Sequence, residues 1–266
     1  MTAVNVPEVL IGKVAAITGG TAGIGRAVAE QFLAAGASVV VNGRDAQRGE
    51  ELLAALGCGD RASFFPGSVL ERDVVEGLID FTVERYGHID IVVLNAGGAN
   101  QQAPIAELTD EEWELDLRWN MTHSFWGIRR ALHHMIPQRS GRILAMSSKQ
   151  GKMGRAGAGG YSAAKHGLNG LVKSAALEVG ELGITVNAIC PGSVLTDLVR
   201  ERGAKAAAGM GLASLDELLV MHAAESAIKR QLTPDEVASL CLYIASDASS
   251  GITGQMLSVD GGVSPY

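Results

Sequence analysis

Tyr161 and Lys165 lie four positions apart in a run of small residues, GGYSAAKHG, over 159–167. If this segment is helical, residues four apart lie on one face of the helix, one turn from each other. An ammonium group beside a phenol favours the phenolate and lowers the phenol's pKa, so the tyrosine could act as an acid or base near neutral pH. The alternative is an ordinary surface helix, in which the tyrosine packs and the lysine is solvated. The pair is therefore a candidate for proton transfer that the rest of the chain must support.

A glycine-rich turn near the start of the chain is a second candidate site. Residues 18–25 read TGGTAGIG, between a run typical of a buried strand and a run typical of a helix. Gly19, Gly23 and Gly25 would allow a tight turn and a close approach of the backbone to a ligand. The amides at the helix N-terminus would then face the charge of a pyrophosphate. A purely structural turn is the alternative, but the position after a first strand favours dinucleotide binding.

Composition and charge argue against several function classes. The chain has 266 residues and a formal net charge of -7, with no basic stripe, so nucleic-acid binding is not predicted. No apolar run is long enough to span a bilayer, and the first residues lack the features of a signal peptide, so no membrane association is predicted. Cys58, Cys190 and Cys241 lie far apart without metal-ligand spacing, and the histidines form no metal-binding motif, so we predict no metal site. These features favour a cytoplasmic protein with reduced thiols.

Short apolar runs alternate with helical patterns along the chain. The predicted strands are KVAAITGG, SVVVNGR, ASFFPG, DIVVLNAGG, GRILAMSS, ITVNAICPG and QMLSVDGG. Repeated β-α-β units with nearly continuous apolar strands predict an α/β domain, with a parallel sheet that is covered by helices on both faces. No linker divides the chain. We therefore predict one domain over residues 1–266, in which one stretch, at about 197–229, interrupts the alternation.

Five motifs occur in a fixed order along this predicted fold. They are TGGTAGIG, the NAG after the fourth strand, the SS that ends the fifth, YSAAK, and PGSVLT after the sixth. Together they resemble the short-chain dehydrogenase/reductase family, and the likeness extends from about residue 11 to 262. The resemblance implies a single-domain Rossmann fold, with a doubly wound seven-stranded parallel sheet. It also implies a nicotinamide cofactor and hydride transfer between that cofactor and a carbonyl or secondary alcohol of a small molecule.

The same resemblance implies a catalytic set. Tyr161 matches the family's acid in reduction and base in oxidation, and Lys165 matches the residue that lowers the tyrosine's pKa and binds the nicotinamide ribose. Ser148 matches the residue that holds the substrate oxygen, because the family's spacing to the tyrosine favours it over Ser147. Asn120 matches a residue that binds a water in a proton relay. From the residues alone, Asn120 could equally satisfy helix backbone, and Ser148 could cap a strand end.

Cofactor contacts follow from the family in the same way. The glycine-rich turn would hold the pyrophosphate, the NAG motif would lie against the adenosine ribose, and PGSVLT would flank the nicotinamide. The predicted cofactor-binding residues are Gly19, Thr21, Gly23, Ile24, Gly25, Arg44, Ser68, Val69, Asn95, Ala96, Gly97, Tyr161, Lys165, Pro191, Gly192, Val194 and Thr196.

The end of the second strand bears on the coenzyme preference. NAD-preferring members of the family usually have an acid there that accepts from the ribose 2′-OH, whereas this chain has Gly43 followed by Arg44. A guanidinium could bind a 2′-phosphate bidentately, with help from Asn42, so NADP(H) is favoured over NAD(H). An exposed arginine without such a role is the alternative. After the third strand, Ser68 replaces the family's common aspartate near the adenine, which leaves the backbone of Val69 as a contact.

The substrate is open between several classes. Stretches such as GITVNAICPGSVLTDLV resemble 3-oxoacyl reductases and 3-hydroxybutyrate dehydrogenases. Ser148, Gln150 and Tyr161 are the predicted substrate contacts, but Ala158 stands at a position where the hydroxybutyrate enzymes grip a small carboxylate. We expect a ketone or 3-oxoacyl-type reductase, with a 3-hydroxybutyrate-type NAD-dependent dehydrogenase as the alternative. A non-catalytic nucleotide-binding sensor or scaffold is an alternative of another class, which the complete catalytic set disfavours.

The irregular stretch at 197–229 is predicted to form a mobile lid over the substrate. It leaves the carboxyl end of the sixth strand, where open α/β sheets bind ligands, and its glycine-rich first half could act as a hinge. Its apolar residues would cover the pocket and favour a medium-sized or acyl-like carbonyl over a small free acid. These residues are Leu215, Leu218, Leu219 and Met221. A helix that only packs on the fold or on another subunit is the alternative.

A homotetramer is predicted by resemblance to most of the family. The predicted helices over about 110–136 and 160–181 would pair across one two-fold axis. The C-terminal helix and the strand QMLSVDGG would pair across another. The run ASLCLYIAS, which is apolar over more than one face, favours this second interface.

Overall fold

Seven strands form one sheet in the part of the chain that this computed structural model describes, residues 8–99 and 103–264. The ends of the predicted domain, 1–7 and 265–266, and residues 100–102 lie outside the described residues. The strands are β1 Val14–Ile17, β2 Ser38–Gly43, β3 Ala62–Pro66, β4 Ile91–Leu94, β5 Gly141–Met146, β6 Ile184–Pro191 and β7 Met256–Val259. All neighbours are parallel, in the order β3-β2-β1-β4-β5-β6-β7. Each predicted strand run therefore contains an observed strand.

Helices cover both faces of the sheet. They are α1 Gly23–Ala34, α2 Ala46–Leu56, α3 Arg72–Tyr86, α4 Asp110–Leu117, α5 His123–Gln138, α6 Gly159–Val179, α7 Asp197–Gly209, α8 Leu215–Glu225 and α9 Pro234–Ala245. On one face α1 and α9 bury Val28, Phe32 and Ile244, and on the other face α5 and α6 bury Met135 and Leu168. Each such side chain contributes about 1.5–3 kcal/mol when it is fully buried. The predicted doubly wound Rossmann fold is confirmed.

The described helices also bear on membrane association. None of them is at once long enough and apolar enough to cross a bilayer.

The strand order places a switch point between β1 and β4. From β1 the chain builds outward through β2 and β3, and then returns to add β4 on the other side. In open α/β sheets, ligands bind beyond the carboxyl ends of the strands at such a point. The turns after β1, β4, β5 and β6 therefore define the region in which a functional site is expected.

The helix predicted over about 110–136 differs from a regular α-helix. It consists of α4, a π-helical turn at Arg118–Thr122, and α5. A π-turn inserts an extra residue into the helix and is common at functional sites. Asn120 lies in this turn.

The stretch 197–229 contains two helices, α7 and α8. Its first half, which the sequence predicts as a glycine-rich hinge, is helical over Asp197–Gly209, and its movement as a hinge stays a prediction. The alanines of this half are strong helix formers. The side chain of Thr196 also caps α7, because its hydroxyl accepts from the backbone N of Val199 at 3.3 Å. The predicted helix in the second half is confirmed, and Ser214 caps it in the same way.

Candidate active site

A cavity of about 430 Å³ lies at the carboxyl ends of β1, β2 and β3, and the glycine-rich turn lines it. Gly19 and Gly23 have positive φ angles of 62° and 54°, which favour glycine. A Cβ on Gly25 would lie 2.5 Å from Nδ2 of Asn95, so only glycine lets α1 come this close to β4. Helix α1 begins at Gly23, and both Gly23 and Ile24 line the cavity, which places the positive end of the helix dipole there. The cavity therefore fits the pyrophosphate of a dinucleotide.

Thr18 and Asn95 hold the ends of β1 and β4 together. The hydroxyl of Thr18 accepts from the backbone N of Asn95 at 2.9 Å and from that of Ala96 at 3.1 Å. Nδ2 of Asn95 donates to the carbonyl oxygens of Thr18 and Gly19, both at 3.0 Å. Asn95 thus fixes the glycine-rich turn as well as lining the cavity.

The end of β2 contributes Arg44 to this cavity, where it is exposed. A Cβ on the preceding Gly43 would lie 2.6 Å from Cγ2 of Thr21, so Thr21 occupies the space that an acid at 43 would need. Asn42 is 1% exposed. Its Nδ2 donates to the carbonyl oxygens of Phe65, on β3, and of Gly67, in the turn that follows, both at 3.1 Å. Asn42 therefore holds β3, contrary to the expectation that it helps to bind a 2′-phosphate.

A second cavity, of about 330 Å³, shares Ile24, Asn95 and Thr196 with the first. Residues from the ends of β4, β5 and β6 line it, together with the start of α6. Ser148, which follows β5, and Tyr161, on α6, are both among them. Two adjoining cavities thus offer room for a dinucleotide and for a second small molecule beside it.

Tyr161 and Lys165 lie on successive turns of α6, as their spacing predicts. Nζ of Lys165 is 5.5 Å from the centroid of the Tyr161 ring and donates to the carbonyl oxygen of Met146 at 2.7 Å. Ser148 lines the second cavity beside Tyr161, and its side chain lowers the pKa of that phenol. Ser147 instead directs its hydroxyl to the carbonyl oxygen of Lys165, at 3.5 Å. Both serines line the second cavity, so the choice of Ser148 over Ser147 stays a prediction.

Burial changes the proton affinities of this pair in opposite directions. Desolvation raises the pKa of Tyr161 above its usual value, although the side chain of Ser148 lowers it. Desolvation also lowers the pKa of Lys165 to about 7. The Tyr161 pKa thus shifts upward, opposite to the expected direction, because the cost of burying a phenolate is the largest effect.

Asn120 is fully buried behind the wall of the second cavity. Its Oδ1 accepts from the backbone N of Gly98 at 2.9 Å, and its Nδ2 donates to the carbonyl oxygens of Gly98 and Asp116, both at 3.0 Å. A Cβ on Gly97 would lie 2.7 Å from this Oδ1 and 3.3 Å from Nζ of Lys165. Asn120 thus holds the turn after β4 close to Lys165. Its role in binding a water stays a prediction.

Most of the predicted contact residues line one cavity or the other. The first cavity includes Gly19, Thr21, Gly23, Ile24, Arg44, Ser68, Val69 and Asn95. The second includes Gly97, Ser148, Gln150, Tyr161, Lys165, Pro191, Gly192, Val194 and Thr196. Gly25, Ala96 and Asn120 line neither and act through the backbone and packing behind the walls.

A polar cluster in the second cavity is absent from the sequence-based prediction. Lys149 forms an ion pair with Glu225 at 2.6 Å, which joins the turn after β5 to α8. Nη2 of Arg155 donates to Nε2 of His222 at 3.1 Å, and Nδ1 of His222 lies 3.2 Å from the hydroxyl of Ser193. The run KQGKMGR between the serine and tyrosine motifs is the sequence signal that could have indicated it.

The cover that α8 gives this cavity is more polar than predicted. Of the four apolar residues expected there, Leu218 lines the cavity and Leu215, Leu219 and Met221 do not. His222 lines it as well, because residues four apart share one face of a helix. The expectation of a largely apolar cover is therefore corrected.

Comparisons with known proteins agree with this geometry. A family model described as enoyl-(acyl carrier protein) reductase matches residues 19–264. The 3beta-hydroxysteroid dehydrogenase 2 of Eggerthella lenta is 35% identical over 266 residues, which cover 97% of this chain and 97% of the relative. The D-beta-hydroxybutyrate dehydrogenase of Rhizobium meliloti is 36% identical over 254 residues, which cover 94% of this chain and 98% of the relative.

A solved structure gives the same result. A crystal structure of an actinorhodin polyketide ketoreductase variant with NADPH has a TM-score of 0.90 and 34% identity to this chain, covering 96% of this chain and 98% of the other. The likeness in sequence and in fold thus covers nearly the whole chain. The chain is a nicotinamide-dependent oxidoreductase that acts on CH–OH groups, and it belongs to the short-chain dehydrogenase/reductase family.

Proposed function

We propose that this enzyme reduces a ketone or 3-oxoacyl-type carbonyl with NADP(H), and that Ser148, Tyr161 and Lys165 carry out the proton transfer. The observation that carries this proposal is that Ser148, Tyr161 and Lys165 line one cavity that adjoins the dinucleotide cavity, with Nζ of Lys165 5.5 Å from the centroid of the Tyr161 ring. An NAD-dependent dehydrogenase of the 3-hydroxybutyrate type is the second candidate, which the relative from Rhizobium meliloti supports.

In this mechanism the substrate carbonyl oxygen accepts hydrogen bonds from Ser148 and Tyr161. The bound nicotinamide supplies the hydride for the carbonyl carbon. Tyr161 donates its proton to the oxygen as negative charge develops there, and Ser148 stabilises that charge. The raised pKa of Tyr161 keeps the phenol protonated at neutral pH, which suits an acid in the reductive direction. Asn120 would position a water that returns a proton by way of Lys165.

Residues around both cavities would hold the cofactor. The glycine-rich turn would bind the pyrophosphate, while Ser68 and Val69 would lie against the adenine and Asn95 against the adenosine ribose. Pro191, Gly192, Val194 and Thr196 would flank the nicotinamide, and Lys165 would bind its ribose. These assignments are implied by membership of the family, and the cavity walls and the positive φ angles of Gly19 and Gly23 support them.

Preference for NADPH is expected to depend on Arg44. Arg44→Ala removes a charge-assisted contact to the 2′-phosphate, so NADPH binding should weaken by about 1.5–3 kcal/mol while NADH binding stays the same. Titration of both coenzymes against both proteins measures this.

Arg48→Ala is the matched control for this test. Arg48 lines the same cavity, but it lies 3.7 Å from Asp45 and 3.8 Å from Glu201 and is thus already near carboxylates. Arg48→Ala should therefore weaken NADPH binding less than Arg44→Ala does. A wild-type enzyme that prefers NADH would show that Arg44 does not select the coenzyme and would favour the NAD-dependent candidate.

We also propose that 197–229 moves as a lid. Support comes from its contacts, because Val199, Gly203, Leu218 and His222 line the second cavity from α7 and α8. Amide hydrogen exchange of this stretch should be fast in the free enzyme and slower with NADPH and a substrate analogue bound. Equal and strong protection in both states would leave only a structural pair of helices.

A cytoplasmic homotetramer is proposed for the assembled enzyme. Exposed apolar side chains on three helices support interfaces between subunits. They are Phe125 (41% exposed) and Ile136 (42%) on α5, Leu177 (88%) on α6 and Tyr243 (47%) on α9. Strand β7 is at an edge of the sheet and offers a second pairing surface. The three cysteines are free thiols, which fits a reducing compartment.

A further inference from the structure

Arg155 is a half-buried cation in the wall of the second cavity, six residues before Tyr161. Its Nη2 donates to Nε2 of His222 at 3.1 Å and to the sulfur of Met210 at 3.5 Å. Neither acceptor carries a negative charge. Within residues 8–99 and 103–264, no carboxylate lies within ion-pair distance of Arg155.

His222 does not add a charge to this cluster. An arginine can only donate hydrogen bonds, so Nε2 of His222 is the acceptor, and Nδ1 carries the hydrogen that faces Ser193. Burial, and then the positive charge of Arg155, lower the pKa of His222 to about 4. The ring is therefore neutral near pH 7.

Lys149 and Glu225 nearly cancel each other. Their side chains meet at 2.6 Å, and Lys149 is 7% exposed. In the whole cluster two cations share one carboxylate, because Lys149 and Arg155 both lower the pKa of Glu225, and one positive charge remains in excess. A partly buried excess of positive charge is costly unless an anionic ligand balances it.

We propose that Arg155 binds a carboxylate of the substrate and thereby selects oxo acids and hydroxy acids over neutral carbonyl compounds. This inference rests on the proposed function, because it places the carboxylate in the cavity in which Ser148 and Tyr161 meet the carbonyl. The planar guanidinium has five N–H donors in a fork that matches a carboxylate. A singly charged carboxylate also matches the single unbalanced charge, whereas a phosphate carries about two.

This assignment changes the substrate class expected from the sequence. The sequence predicts no carboxylate site, because Ala158 stands where hydroxybutyrate enzymes bind a carboxylate. The expected apolar lid also favours an acyl-like carbonyl over a small free acid. Arg155 supplies a cation from the segment that precedes α6, and His222 on α8 holds it at the cavity wall. Since Leu218 lines the same cavity, the carbon skeleton of the acid has an apolar contact as well.

Calorimetry on the enzyme–NADPH complex at pH 7.5 tests the inference, with cyclohexanecarboxylate and its methyl ester as probes. Wild type should bind the acid more tightly than the ester. Arg155→Met should weaken binding of the acid by about 10- to 100-fold and leave the ester unaffected. Arg155→Lys keeps the charge but loses the forked arrangement of N–H donors. Its affinity for the acid should lie between those of wild type and Arg155→Met. The same order is expected for kcat/KM with 4-oxocyclohexanecarboxylate and its methyl ester.

Lys152→Met is the matched control, because Lys152 lies in the same segment but donates to Ser258 and does not line the cavity. It should bind both probes as wild type does. Three results would overturn the inference. Wild type could bind the acid and the ester equally well, or could fail to bind the acid, or both Arg155 variants could bind the acid as tightly as wild type does. Turnover of the neutral ester that depends on Tyr161 would leave the proposed function intact in each case, so the two failures are distinguishable.

Discussion

Tyr161→Phe is expected to lower kcat by about 10²- to 10⁴-fold or more while NADPH still binds, because the proton donor is lost. The ring and its contact with Lys165 are retained, so the cavity keeps its shape. Steady-state rates and a coenzyme titration on the variant measure the two quantities. Near-normal turnover would show that another group donates the proton.

Tyr243→Phe is the control for this experiment. Tyr243 lies on α9 and is 47% exposed, so the same chemical change should leave kcat as it is in wild type. A comparable loss in both variants would point to a general effect on folding rather than to proton transfer.

Lys165→Met is expected to remove a rise in stability with pH. In the unfolded chain this lysine keeps its proton up to its usual pKa of 10.5, whereas in the folded protein desolvation lowers the pKa to about 7. Between these values the unfolded state binds more protons, so the free energy of unfolding rises with pH. Relative to the variant, wild type should gain about 1.4 kcal/mol per pH unit at most, and roughly 3 kcal/mol from pH 7 to 9.5.

Urea unfolding of both proteins across this pH range measures the effect. Lys173→Met is the control, because Lys173 is on the exposed face of the same helix and should follow wild type. Parallel stability curves for wild type and Lys165→Met would mean that the ammonium is not desolvated. It would then be free to hold the Tyr161 pKa down, as the sequence first suggested.

The sequence predicts the strands and the placement of Tyr161 beside Lys165, because both depend on local spacing. Buried parallel strands appear as apolar runs, and a separation of four residues places Tyr161 and Lys165 on one helix face. The π-turn around Asn120 is different. One additional residue shifts the apolar pattern but introduces no helix-breaking residue at the turn, so the sequence shows only a single helix over 110–136.

The remaining differences arise from contacts between distant residues. Arg155 and His222 are 67 positions apart, and only the packing of α8 on the cavity brings them together. The side chain of Asn42 is directed to β3 by strand pairing rather than by its neighbours in sequence. The pKa of Tyr161 depends on how deeply α6 buries it, which spacing alone does not reveal.

The central claim is that the second cavity is where a carbonyl group is reduced. Purified enzyme, supplied with NADPH or NADH, should be assayed over a panel of ketones, oxo acids and the corresponding alcohols, together with Tyr161→Phe. We predict coenzyme-dependent turnover of at least one oxo acid by wild type, and its loss in the variant although coenzyme still binds. Tight coenzyme binding by wild type without turnover of any carbonyl or alcohol would contradict the account and indicate a nucleotide-binding protein that is not an enzyme.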